Sequence, residues 1–267
     1  GGCRITKKKD AGTQVAVVAR GERARRLECE GLRVNDVPYA PPVDEEPWKN
    51  PYDLVLVATK STQLESALPQ VVSAAGESGL VVSLLNGISS ESVLRDALGP
   101  GAERRVVPAM ILGIDAVRGP DGVRYLNRGT IHYGSEPEWA PVSAGLLDEL
   151  GAVFAASGIP ARRAEDIRRT LWWKFMINVG INQTSAVLRA PYGLFQESKD
   201  ARALMIDAME EVLALSEREG VGLSADDVSA WLRTLDGLDP GGKTSMLQDV
   251  EAGRPTEVDL FAGMVVS

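Results

Sequence analysis

The chain has 267 residues, and its 37 acidic residues outnumber its 29 basic residues to give a net charge of −8. This length allows one large domain or two modest ones, and the acidic balance argues against general binding to nucleic acid or anionic membranes. Two cysteines and one histidine are too few for a disulfide framework or a histidine-based metal site, so we expect no metal. With no membrane-spanning apolar run and no signal-peptide pattern, we expect a cytoplasmic protein.

Short apolar runs alternate with helical segments in the first part of the chain. The runs are QVAVVA at 14–19, DLVLVAT at 53–59, LVVSLL at 80–85 and RVVPAMILG at 105–113. Continuous apolar strands separated by helices predict a mostly parallel sheet covered on both faces. Ligands of such sheets bind at the carboxyl ends of the strands, and Arg20, Lys60 and Asn86 each follow a predicted strand directly. A hairpin is also predicted over 122–133, with its turn at Arg128-Gly129.

From Glu165 onward the pattern is helical only, so the sequence predicts an α/β domain over residues 1–164 and an all-helical domain over 165–267. The helical part opens with LWWKFMINVGINQTSA at 171–186, which is apolar on nearly every side and therefore predicts a buried helix. Lys174, Asn178 and Asn182 are spaced i, i+4 and i+8 along it, within an arc of roughly 80°. We interpret them as one wall of a polar pocket; the alternative is a seam that faces solvent.

Six stretches match a known family in order and spacing. They are VVARG at 17–21, LVATKS at 56–61, LLNG at 84–87, LWWKFMINVGIN at 171–182, SMLQD at 245–249 and PTEVDLF at 255–261. On these stretches the chain resembles the ketopantoate reductase family, NADPH-dependent 2-dehydropantoate 2-reductases, over nearly its whole length. The resemblance implies a Rossmann-type domain that binds NADPH, followed by the helical substrate and catalytic domain, with the active site in the cleft between them.

The resemblance also implies roles for individual residues. Lys174 is expected to be the general acid, and Glu257 its acidic partner. The expected contacts to substrate or nicotinamide are Asn86, Asn178, Asn182 and Ser245, and the expected cofactor residues are Gly1, Gly2, Arg20, Lys60 and Asn86. Arg20 would meet the 2′-phosphate of NADPH. Because no acidic residue follows that strand to accept a ribose 2′-hydroxyl, NADPH is predicted over NADH.

The chain departs from the family pattern at both ends and in the middle. The family's glycine-rich loop is represented only by Gly1 and Gly2, as if the chain began within it, and the last helix stops at Ser267. The strand-end segment 110–114 and the segment around Tyr192 also differ from the family, and these differences bear on the substrate.

The expected reaction reduces a 2-oxo acid, which needs a hydride donor and a proton donor for the nascent alkoxide. Burial would lower the pKa of Lys174 and Glu257 would raise it, so the sequence leaves the net direction open. One alternative is a reductase acting on a different 2-oxo acid. Another is a non-catalytic NADP-binding or interaction protein. A homodimer is a further expectation.

Overall fold

The computed structural model describes residues 14–119, 122–136 and 140–267. The predicted cofactor residues Gly1 and Gly2 lie outside these ranges. The chain divides into two compact units: the first contains the segment up to Leu85 together with Ser89–Ile167, and the second contains Asn86–Ile88 and Arg168–Ser267. In the described part of the chain, no helix is both long and apolar enough to cross a membrane.

The first unit contains eleven strands and four α-helices in its described residues. In chain order they are β1 Val17–Val18, α1 Gly21–Glu30, β2 Leu32–Val34, β3 Val37–Tyr39, β4 Val43–Asp44, β5 Leu54–Val57, α2 Leu64–Ala75, β6 Leu80–Ser83, α3 Ser90–Leu98, β7 Val106–Ile114, β8 Val117–Gly119, β9 Gly122–Arg124, β10 Arg128–Tyr133, α4 Ala144–Ala156 and β11 Ala161–Arg163.

The main sheet of this unit has five strands in the order β11-β10-β7-β6-β5. Strands β5, β6 and β7 are parallel, whereas β10 runs antiparallel to β7. Since successive side chains of a strand point to opposite faces, Val55 and Val81 pack with residues of α2 and α3, and Leu56 and Val82 pack with residues of α4. The sheet is therefore covered on both faces, as the continuous apolar strands predicted.

The predicted hairpin over 122–133 is wrong. Strand β9 pairs with β8 and β2 in a separate four-stranded sheet, while β10 joins the main sheet against β7. Strand β10 carries Ile131 and Tyr133, which are buried in the cluster that contains α4. Strand β9 has no fully buried residue, so burial of apolar side chains separates the two strands.

A third sheet consists of the two short strands β1 and β4, which are parallel and pair Val17 with Val43 and Val18 with Asp44. Helix α1 packs on it through Ala24 and Leu27. Because the two strands run in the same direction, the residues that follow them emerge at the same edge of this small sheet.

The second unit is helical. It contains α5 Ile167–Ile177, a π-helical segment Asn178–Asn182, α6 Gln183–Leu188, α7 Tyr192–Glu197, α8 Lys199–Arg218, α9 Ala225–Asp236, α10 Ser245–Glu251, a second π-helical segment Asp259–Gly263 and α11 Met264–Val266. No described residue after Arg163 belongs to a strand, in agreement with the helical pattern of the sequence. One cluster of buried apolar side chains, centred on α5, the first π-helical segment and α8, forms its core.

Candidate active site

The predicted lysine helix consists of three consecutive pieces: α5, the π-helical segment and α6. A π-helical turn is wider than an α-turn and recurs at functional sites. Gly180 lies in its middle, where an added Cβ would meet Met209 Cε at 2.5 Å and the Met205 carbonyl oxygen at 3.1 Å. Glycine therefore lets α8 approach the segment closely, and this packing holds the polar residues on either side of Gly180.

The two asparagines of this segment face each other, as their i, i+4 spacing predicts. Asn178 and Asn182 are each only 7% exposed, and Asn182 Nδ2 donates a hydrogen bond to Asn178 Oδ1 at 3.2 Å. Asn178 Nδ2 is also buried and has no hydrogen-bond partner among the described residues. A buried donor without an acceptor is unfavourable, so this amide is suited to bind an acceptor atom of a ligand. The alternative of a solvent-facing seam does not hold for these two residues.

Lys174 lies one turn before Asn178 and is partly buried. Burial lowers the pKa of Lys174 from its ordinary 10.5 to about 8, while the negative charge of Glu257 acts in the opposite direction. The net direction that the sequence left open is therefore downward. A lysine with a pKa near 8 is protonated at neutral pH yet able to release its proton, which is what a general acid requires.

Glu257 precedes the second π-helical segment, and its carbonyl oxygen accepts hydrogen bonds from Leu260 N at 3.0 Å and Phe261 N at 3.3 Å. Its side chain accepts a hydrogen bond from Asn86 Nδ2 at 3.1 Å. Glu257 therefore interacts with both Asn86 and the charge of Lys174. The structure brings these three predicted site residues together within the helical unit.

Asn86 reaches Glu257 because the next residue is glycine. Gly87 has φ +87°, and an added Cβ would lie 2.6 Å from Leu260 Cδ1. Both the backbone conformation and the close approach of Leu260 require glycine here. The Asn86-Gly87 pair is thus more than a turn between β6 and α3, because it holds the amide against Glu257.

Ser245 is the first residue of α10, and its side chain is exposed. The preceding residue, Thr244, caps this helix: its Oγ1 accepts a hydrogen bond from Leu247 N at 3.1 Å. Thr244 Oγ1 also lies 2.6 Å from Ser185 Oγ, and Ser185 donates to the Asn182 carbonyl oxygen at 3.1 Å. Since each hydroxyl has a single proton, Thr244 must donate to Ser185.

This chain of hydrogen bonds links the start of α10, where Ser245 lies, to the segment that carries Asn182. Both hydroxyls are buried. Sequence reasoning missed Ser185 and Thr244. A threonine before a helix is a recognisable cap, but its second partner lies 59 residues away and has no local signal.

Arg20 occupies the N-cap position of α1, two residues after the end of β1. Its guanidinium lies over the Trp48 ring, 4.9 Å from the centroid, and its Nε donates to the Glu45 carbonyl oxygen at 3.2 Å. The carboxylate of Glu45 accepts a hydrogen bond from Gly21 N at 3.1 Å. The sequence predicted no acidic residue at the end of this strand to accept a ribose 2′-hydroxyl, but the fold brings Glu45 to this position from another strand. Glu45 follows β4, and the parallel pairing of β4 with β1 places it there.

The described residues at this end of the first unit fit the ribose end of a dinucleotide. A guanidinium and the N-terminus of a helix are groups that bind phosphate. Lys60 follows β5, is partly buried, and its carbonyl oxygen accepts from Gln63 N at 2.9 Å in a short 3₁₀ turn. Of the other predicted cofactor residues, Asn86 lies against Glu257, and Gly1 and Gly2 lie outside the described residues.

A buried acid lies beside the strand end that leads to Asn86. Ser83 ends β6 and Ser90 begins α3, and their hydroxyl oxygens lie 2.7 Å apart. Glu91 is 1% exposed, and burial raises its pKa to about 7. The hydroxyl pair closes the loop that carries Asn86, and Glu91 is a second acidic group that sequence reasoning missed.

Two family models match the chain. The model described as "Ketopantoate reductase PanE/ApbA" covers residues 2–138, and that described as "Ketopantoate reductase PanE/ApbA C terminal" covers residues 166–267. The 2-dehydropantoate 2-reductase of Mesorhizobium japonicum is 27% identical over 280 residues, which cover 95% of this chain and 83% of that protein.

Solved structures are also similar. A PanE/ApbA family ketopantoate reductase from Ralstonia eutropha JMP134 is 31% identical with a TM-score of 0.79, over 96% of this chain and 83% of that one. The structure of D-mandelate dehydrogenase with NADH and anilino(oxo)acetate has a TM-score of 0.83 over 96% and 84% of the two chains, but only 20% identity, a likeness in fold alone. The resemblance and the fold class predicted from the sequence are confirmed.

Proposed function

Because the chain belongs to the ketopantoate reductase family, we propose that it uses NADPH to reduce a 2-oxo acid, and that this acid is 2-dehydropantoate, which becomes pantoate. Family membership makes it an oxidoreductase that acts on a CH–OH group and uses a nicotinamide cofactor, as the sequence predicted. The choice of NADPH, the particular acid and the roles of the residues are the content of the proposal.

The mechanism rests on the position of Lys174, which is partly buried one turn before the buried Asn178. Burial lowers the pKa of Lys174 to about 8, and the lysine interacts with the charge of Glu257. When bound, the nicotinamide supplies a hydride to the carbonyl carbon of the substrate. Lys174 Nζ then gives its proton to the oxygen of that carbonyl. The transfer leaves a neutral lysine, and burial makes this neutral form more accessible than it would be for a lysine in water.

The neighbouring polar groups position the substrate. Asn178 Nδ2 is available to donate to a substrate oxygen, and Asn182 holds the Asn178 side chain in place. The exposed hydroxyl of Ser245 at the start of α10 is suited to bind the substrate carboxylate. Asn86 orients Glu257, whose carboxylate anchors a substrate hydroxyl and the lysine.

The two parts of the chain have different roles in the proposed reaction. Residues 1–164 bind the cofactor, and residues 165–267, with Asn86, bind the substrate and supply the proton. The homodimer stays a prediction, for which light scattering on the purified protein is the direct measurement.

The experiment is NADPH oxidation, followed by absorbance, with 2-dehydropantoate and a panel of branched and aromatic 2-oxo acids. Lys174→Ala is expected to lower kcat by about 10²–10⁴-fold, the usual cost of removing a general acid, while NADPH binding is retained. Lys199→Ala changes an exposed lysine of the same unit and serves as the control. If Lys174→Ala retains more than about a tenth of the wild-type kcat, the lysine is not the proton donor.

The same panel decides between the proposal and its alternatives. Preference for another 2-oxo acid would place the substrate determinants in the segment that departs from the family pattern. In that segment Met110 is wholly buried in β7, whereas Gly113 and Ile114 are exposed. The exposed end of the strand is therefore the part that could contact a substrate. Cofactor binding without turnover of any 2-oxo acid would favour the non-catalytic alternative.

A further inference from the structure

The surroundings of Arg20 contain both types of charged group by which proteins distinguish the adenosine ribose of NADP from that of NAD. An arginine accommodates the 2′-phosphate of NADP, and an acidic residue accepts the 2′-hydroxyl of NAD. Here Arg20 and Glu45 lie together, joined by the hydrogen bond from Arg20 Nε to the Glu45 carbonyl oxygen. We propose that Glu45 is a determinant of cofactor choice, whose carboxylate accepts the ribose 2′-hydroxyl of NADH and opposes the 2′-phosphate of NADPH.

The position of Glu45 follows from the small sheet. Strand β4 ends at Asp44 and is parallel to β1, so Glu45 emerges at the edge where α1 begins. Asp44 is engaged within its own turn, where its carboxylate accepts from Tyr52 Oη and from Glu46 N, the latter at 2.9 Å. Asp44 is therefore used to shape the turn, and Glu45 is the acid presented to the start of α1.

Glu45 is held on two sides. Its Oε2 accepts from Gly21 N at 3.1 Å, and its carbonyl oxygen accepts from Arg20. Trp48 covers one face of the Arg20 guanidinium. In the described part of the chain, Glu45 Oε1 makes no hydrogen bond, so it can accept one from a ribose hydroxyl.

The electrostatic consequence differs between the two cofactors. A 2′-phosphate brings negative charge to Arg20, which attracts it, and to Glu45, which repels it. Glu45 also occupies a helix N-terminus that would otherwise favour the phosphate. A 2′-hydroxyl carries no charge and gains a charge-assisted hydrogen bond from the same carboxylate. The two residues together therefore reduce the preference for NADPH that Arg20 alone would create.

The test is direct titration of NADPH and NADH, by nucleotide fluorescence and calorimetry, without substrate. Glu45→Gln keeps the shape of the side chain and an acceptor for Gly21 N but removes the charge. The matched control is Glu46→Gln, the next residue, which is exposed and pairs with Lys49. We expect Glu45→Gln to tighten NADPH binding by about 2- to 5-fold, in the range of interactions between exposed charges, and to leave NADH equal or weaker.

Salt provides a second readout. Between about 0.01 M and about 1 M salt the Debye length falls from about 30 Å to about 3 Å, so the advantage of Glu45→Gln for NADPH should shrink as salt rises. The role of Glu45 is overturned if Glu45→Gln changes the NADPH to NADH ratio no more than Glu46→Gln does. It is also overturned if the advantage is independent of salt, or if the wild type and Glu45→Gln bind neither cofactor.

The inference rests on the nicotinamide cofactor of the proposed function but not on its substrate, so the two can fail separately. A shifted binding ratio without reduction of 2-dehydropantoate would refute the proposed substrate and leave the role of Glu45 intact. Reduction of 2-dehydropantoate with an unshifted ratio would refute the role of Glu45 alone.

Discussion

Replacing Glu257 by glutamine should move the alkaline limb of the pH profile to lower pH. In the wild type, burial lowers the pKa of Lys174 from 10.5 to about 8, and Glu257 opposes this shift by favouring the charged amine. Glutamine keeps an acceptor for Asn86 Nδ2 but removes the charge. The protonated form of Lys174 then loses its stabilising partner, so its pKa must fall further below 8.

The magnitude follows from the usual effect of one nearby opposite charge, about 1–3 pKa units. A shift of about one unit places the pKa of Lys174 near 7 in the variant. At pH 8 the protonated fraction then drops from about one half to about one tenth, so kcat/KM should fall about fivefold from this cause alone. At pH 6 both proteins hold a protonated lysine, and the loss due to protonation should vanish.

The assay is kcat/KM for the 2-oxo acid against pH, since this quantity reports the pKa values of the free enzyme. Glu251→Gln is the control, because Glu251 is exposed and pairs with Lys243 at 2.8 Å in the same unit. Loss of a substrate contact through Glu257 would lower kcat/KM equally at every pH. This effect can therefore be separated from the movement of the alkaline limb. An alkaline limb that stays near pH 8 in Glu257→Gln, or that lies near 10.5 in the wild type, would refute the reasoning.

Three further substitutions test other parts of the structure. The raised pKa of Glu91 means that the folded state binds more protons than the unfolded state between pH 4.5 and about 7, so wild-type stability falls as pH rises through this range. Glu91→Gln should therefore add little to the free energy of unfolding at low pH and up to about 3 kcal/mol above pH 7; an equal difference at all pH values in urea titrations would contradict this. Ser185→Ala leaves the buried Thr244 hydroxyl without its acceptor and should cost about 1–3 kcal/mol in stability and raise KM for the 2-oxo acid more than it lowers kcat. Unchanged stability and KM would exclude a role for the pair in holding the start of α10. Arg20→Ala should weaken NADPH more than NADH in fluorescence titrations, and equal losses would refute contact with the 2′-phosphate.

Much of the architecture could be predicted from local pattern. The apolar runs at 53–59, 80–85 and 105–113 form adjacent strands of the main sheet, and the helical pattern after Glu165 corresponds to the helical unit. The i, i+4 spacing of Asn178 and Asn182 correctly places their side chains against each other. These features depend on the repeat of the helix and the strand, which is encoded within a few consecutive residues.

The predicted hairpin is wrong because it was inferred only from residues within the segment itself. Turn residues at Arg128-Gly129 indicated where the chain bends, but the partner of each strand depends on where its apolar face is buried. Strand β10 pairs with β7 because Ile131 and Tyr133 pack in the cluster with α4, and nothing near 122–133 encodes that distant surface.

By itself the sequence determined the family, the two kinds of secondary structure and the candidate residues Lys174, Asn178 and Asn182. Only the tertiary structure decided which way the pKa of Lys174 moves, because burial and the charge of Glu257 act in opposite directions and only packing sets their balance. It also brought Glu45 to Arg20 through the pairing of β4 with β1. Such contacts join residues far apart in the chain, and their energies arise from solvent exclusion and charge proximity that exist only in the folded protein.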